Sequence, residues 1–135
     1  MVSSYMSESR FQERYEDFKS ALARLEEGLS IETNDSIIFD GVIQRFEFTF
    51  ELSWKVLKDY LEYKGIQVKT PRDSIKKAFE TEIISDGDSW IDMMIDRNKT
   101  SHIYDETEAR AIYKKIKDYH IHLLRELREK LESMT

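Results

Sequence analysis

The stretch SIIFDGVIQRFEFTFELSWKVLKDYLEYK, residues 36–64, decides the fold. Phe39, Val42, Phe46, Phe50, Leu57 and Leu61 recur at helical spacing, so the run reads as one long amphipathic helix that Gly65 stops. At about 100° per residue, Phe48 and Leu52 fall on the side away from Phe46 and Phe50, and Glu47, Glu51, Lys55, Lys58 and Glu62 make a separate charged strip. Two faces of this helix therefore call for burial. A small bundle covers one through its core, which leaves Phe48 and Leu52 as the expected homodimer interface, although scattered exposed apolar residues are ordinary.

Outward from this helix the same reasoning fills the chain. Phe11, Tyr15, Phe18, Leu22 and Leu25 lie on one face of a preceding helix that ends near Gly28. Thr70-Pro71-Arg72-Asp73 opens a short helix, with Thr70 as N-cap and Pro71 at the first helical position, and is expected to turn Ile75, Ala78 and Phe79 inward. A turn at 85–88 leads to a fourth helix carrying Trp90, Ile91, Met93, Met94 and Ile95 and ending about Arg97. Asp105 and Glu108 form a capping-box-like start for the last helix, whose apolar face runs through Ala109, Ile112, Ile116, Tyr119, Leu123 and Leu127. The expected fold is all-α: an antiparallel four-helix up-and-down bundle with an additional short helix, dimerising, in one domain over 1–135.

Composition narrows the function. The chain has no cysteine, so thiolate metal sites and disulfides are excluded, in keeping with a reducing cytoplasm. The N-terminal MVSSYMSESR has no apolar signal core, and no window reaches the roughly 20 apolar residues that span a bilayer, so neither secretion nor a membrane partner is expected. Twenty-seven acids against 21 bases give a formal charge of −6, which argues against a broad phosphate-binding surface; no DNA partner is expected, and any contact with RNA has to be local.

The residues with chemistry to offer gather in DRNKTSHIYDE, residues 96–106. Arg97 follows Trp90 and Met93 on their helical side and is open to two readings: a helix-end arginine on the last carbonyls, or a guanidinium kept for a phosphate. His102 lies beyond the expected helix end, where an imidazole is either a solvated turn residue or a proton carrier near neutral pH. Asp88, Asp92 and Asp96 share a helical edge, but with no histidine beside them they read as a solvated face, and no metal site is expected. His120 and His122 point to different faces of the last helix. No Gly-rich phosphate loop or other nucleotide motif occurs, and no cofactor is expected.

RFEFTFELSWKVLKDYL at 45–61, TPRDSIKKAFE at 70–80 and SWIDMMIDRNKTSHIYDE at 89–106 resemble the HEPN superfamily, in particular its branch of nucleotidyltransferase substrate-binding proteins. The resemblance runs from about residue 10 to 125. It implies a helical bundle that dimerises and works with a small nucleotidyltransferase. The family motif, Arg, four to six residues, His, one residue, Tyr, is met by Arg97, His102 and Tyr104, with Asn98 as the polar residue that commonly follows the arginine. In active members it cleaves RNA without a metal. By that resemblance His102 is the acid or base, Arg97 stabilises the phosphorane, and Tyr104 accepts AMP from the partner enzyme. Three functions stay open: a ribonuclease toxin, a non-catalytic substrate-binding subunit of a nucleotidyltransferase, and a helical dimer with a decayed site.

Overall fold

The structure is a computed structural model that describes residues 4–134, so the first three residues and the last one of the expected domain lie outside the described residues. Helix α1 (Ser4–Leu29) and helix α2 (Ser36–Tyr63) make an antiparallel hairpin. Arg14 Nε meets Asp59 Oδ2 at 3.0 Å at one end, and at the other Arg45 Nη1 donates to the Arg24 carbonyl at 2.7 Å. The expected stripes face each other: Phe18, Leu22 and Leu25 of α1, and Phe46, Leu57 and Leu61 of α2, are fully buried. Asp35 caps α2 by accepting from the Ile37 N–H at 2.9 Å, and Gly65, at φ 87°, takes the left-handed conformation that turns the chain out of the helix.

Helix α3 (Pro71–Glu80) starts as its sequence dictates, Thr70 Oγ1 accepting from the Asp73 N–H at 3.1 Å. Ile75 and Ala78 point inward, but Phe79 does not and is half exposed. Its ring covers Gly87, where an added Cβ would stand 3.1 Å from it, while Ile83 and Ile84 in the connection fill the core instead. Helix α4 (Gly87–Lys99) begins inside the expected turn because Asp86 caps it, accepting from the Ser89 N–H at 3.0 Å. Past Arg97 it runs on to Lys99 and tightens into a 3-10 turn, Thr100–His102.

The last helix is α5 (Glu106–Lys115), a π segment (Ile116–His120) and α6 (Ile121–Glu132) in direct succession. Phe39 against Tyr113 and Phe46 against His120 show that it runs parallel to α2. Tyr15 and Glu26 of α1 reach Arg128 at its far end, the Glu26 carboxylate accepting from Arg128 Nη1 at 2.6 Å and from Arg125 Nε at 2.8 Å. The wider π turn changes which residues face inward. Tyr119, expected in the core, is 66 % exposed, and His120 takes its place at 1 %. No strand occurs among the described residues, and no helix among them is long and apolar enough to cross a membrane.

Candidate functional site

The motif lies where α4 turns into α5. Thr100 Oγ1 donates to the Arg97 carbonyl at 2.6 Å and closes the last turn of α4, which projects the arginine side chain sideways toward α2. There its Nη1 stands 3.5 Å from Glu47 Oε2 and 3.3 Å from Thr100 Oγ1, both long contacts, and its Nε is buried with no hydrogen-bond partner. The guanidinium is therefore held but far from saturated. Among the described residues it makes no hydrogen bond to the last carbonyls of α4, and it is not a fully paired structural ion.

His102 is exposed on the 3-10 turn, with its Nδ1 3.4 Å from the phenol oxygen of Tyr104. Tyr104 is 81 % exposed, yet its backbone is fixed. Asp105 accepts from the Glu108 N–H at 2.8 Å as the expected N-cap, and the Glu108 carboxylate reaches back to the Tyr104 N–H at 2.9 Å. This exchange anchors the residue while its ring stands in solvent. Asn98 is exposed and its carbonyl accepts from Ser101 Oγ at 3.1 Å. Arg97 and His102 are each held by their own partners, and among the described residues no hydrogen bond joins one to the other.

The two residues expected at a dimer interface separate. Phe48 is 62 % exposed, beside Arg45, Gln44 and Gly41, whereas Leu52 is 9 % exposed and already covered by its own chain. Of the two, Phe48 alone offers surface to a partner.

One cluster was not expected. Asp96 is buried, and its Oδ2 lies 2.6 Å from His120 Nε2 and 2.7 Å from Lys115 Nζ; the same ammonium reaches Asp92 Oδ2 at 3.1 Å. The solvated acidic edge read from the sequence is thus wrong for Asp96, because the π segment turns a histidine onto that edge. Burial pushes the His120 pKa down, more than the Asp96 carboxylate raises it. Its Nδ1 is buried without a partner, which suits a neutral ring that donates from Nε2 and leaves only a lone pair unmet. Burial works against the charge on Lys115 too, but its two carboxylates outweigh that and raise its pKa. Ligand atoms of Asp92, Asp96 and His120 lie within 4.8 Å of one another, a spacing that suits a cation, and the Lys115 ammonium already provides one there. The available signal was that Asp96 follows the inward-facing Met93 by three residues, about one helical turn.

Residues 13–133 match the family described as nucleotidyltransferase substrate binding protein like. Over 98 residues, 67 % of each chain, the sequence is 36 % identical to the probable ribonuclease HepT of Haemophilus influenzae. A crystal structure of a Thermus thermophilus protein superposes with a TM-score of 0.77 at 35 % identity, covering 84 % of this chain and 98 % of the other. The Haemophilus influenzae protein HI0074, described as having the fold of a substrate binding domain of a nucleotidyltransferase, superposes with a TM-score of 0.64 at 25 % identity, covering 92 % and 98 %. The chain belongs to the nucleotidyltransferase substrate-binding family, in the HepT-like branch of the HEPN superfamily.

Proposed function

We propose that this chain is a metal-independent ribonuclease toxin, active as a homodimer in the cytoplasm and silenced when a partner nucleotidyltransferase transfers AMP to Tyr104. The observation that carries the reading is the placement of Arg97, His102 and Tyr104 on one short junction, with an unsaturated guanidinium at its base and an imidazole touching an exposed phenol at its tip. The similarity to a probable ribonuclease supports it.

In the cleavage, the ribose 2′-oxygen forms a bond to the adjacent phosphorus and the bond to the 5′-oxygen breaks, leaving a 2′,3′-cyclic phosphate. The 2′-hydroxyl proton goes to one imidazole and the leaving oxygen takes a proton from another. One chain supplies a single motif histidine, so two copies of His102 across a two-fold cleft provide both roles. Arg97 stabilises the charge that develops on the phosphorane oxygens, for which its planar fork suits it. Asn98, exposed beside it, is a supporting polar group. In the silencing step the Tyr104 phenol oxygen bonds to the α-phosphorus of ATP, pyrophosphate leaves, and the phenol proton passes to solvent.

The second reading, a non-catalytic subunit that presents substrate to a nucleotidyltransferase, is favoured by the net charge of −6 and by the description of HI0074. Expression of the chain alone separates the two. The toxin reading predicts growth arrest that Arg97→Lys relieves and the partner enzyme suppresses; unhindered growth at full expression favours the binding subunit.

A further inference from the structure

Arg97 stands on a closed ring of contacts drawn from α2, α4 and the π segment. Its chain neighbour Asp96 accepts from His120 Nε2 at 2.6 Å; the His120 ring stacks on Phe46, centroids 5.6 Å apart and planes at 17°; and Glu47, next to Phe46, faces Arg97 Nη1 at 3.5 Å. We infer that His120 and Asp96 are positioning residues, which set the depth and rotation of the last turn of α4 and so hold the Arg97 guanidinium over its site.

Two features of the cluster are unfavourable for a purely structural role. A buried carboxylate with polar partners is often no better for stability than apolar side chains of the same volume, so its presence in the core asks for another reason, and fixing a single arrangement is the best attested one. A π turn is rare and tends to occur at functional positions; here it serves to bring His120, instead of Tyr119, onto the inward face. A hydrogen bond fixes direction where an apolar contact permits sliding. With the bond in place α4 has one register against the last helix, and Lys115, bound to both Asp96 and Asp92, guards the same register from the solvent side.

The activity arm of the test rests on the ribonuclease reading; the spectroscopic arm does not. Asp96→Ala combined with His120→Phe keeps the total side-chain volume and a ring against Phe46 while removing the hydrogen bond. The expected result is a thermal midpoint equal to or above wild type with kcat lowered by roughly 10²-fold, the scale of a displacement of about 1 Å, and KM nearly unchanged. His120→Gln, whose amide nitrogen can still reach Asp96, is expected to stay within a few-fold of wild type. Should the double variant not fold, His120→Met replaces it, with the same loss of kcat relative to His120→Gln. In parallel, the Arg97 Nε–H resonance is followed by NMR in each folded variant: it should shift, and exchange faster, where the bond is lost and remain in place in His120→Gln. Full activity in the bond-lacking variant overturns the inference, as does an unmoved Arg97 resonance. If wild type cleaves no RNA the ribonuclease reading fails, and the resonance alone decides this one.

Discussion

The phenol oxygen of Tyr104 lies 3.4 Å from Nδ1 of His102, on a turn where both side chains are exposed. Any group added to that oxygen would stand beside the imidazole, so on the proposed function the modification of Tyr104 would also obstruct His102. Incubation with the partner nucleotidyltransferase, ATP and magnesium is expected to add AMP to the wild-type chain by intact mass and nothing to Tyr104→Phe. Without the partner, Tyr104→Phe should cleave RNA within a few-fold of wild type. Equal addition of AMP to the variant sinks this assignment.

The helix residues expected to share an interface are predicted to respond in different assays. Phe48→Glu places a charge on an exposed apolar site and is expected to shift the protein toward monomer in sedimentation at tens of micromolar, with its melting little changed. Leu52→Ala empties a covered site and should lower folding stability by about 2–5 kcal/mol, the range for buried leucine truncation. A Phe48→Glu protein that sediments as a dimer removes Phe48 from the interface.

Acid should weaken the fold in two stages. The His120 pKa is lowered in the folded state by burial, so the unfolded chain binds the extra proton as pH falls below the ordinary histidine value of 6.5. Its contribution is complete above that pH and is lost on the way down to the folded value. Glu26 is lowered by its hydrogen bond to Arg128, against the effect of burial, and its contribution is lost below the ordinary 4.5. Urea midpoints measured from pH 7 to 4 are expected to fall from about 6.5 downward in wild type and to stay level to about 4.5 in His120→Gln. Parallel profiles for the two proteins contradict the assignment to His120.

The sequence made the helices readable wherever a local rule decides them. The stripe of α2, the Thr70-Pro71 start of α3 and the Asp105–Glu108 cap all depend on neighbours within one or two turns. Arg97, His102 and Tyr104 lie within eight positions, so the sequence alone groups them. What escaped depends on partners remote in sequence. Phe79 suits an inward face by period, but it covers Gly87 on the next element. Tyr119 and His120 exchange places because a π turn breaks the period of 3.6 that predicted them. Asp96 looks solvated until Lys115 and His120 arrive from another helix to hold its charge.

The proposed cleavage of RNA by Arg97 and His102 is tested most directly by the rate of cleavage by the purified protein. In EDTA, wild type is expected to give products ending in 2′,3′-cyclic phosphate. His102→Ala should be slower by roughly 10² to 10⁴, the scale for loss of one acid or base. Arg97→Lys should be severely impaired, since an ammonium keeps the charge but loses the two-donor fork. Circular dichroism and sizing must show both variants folded and in the same oligomeric state as wild type, because Arg97 also ties α4 to Glu47 of α2. Cleavage undiminished in His102→Ala would contradict the account and leave the substrate-binding subunit as the function of this chain.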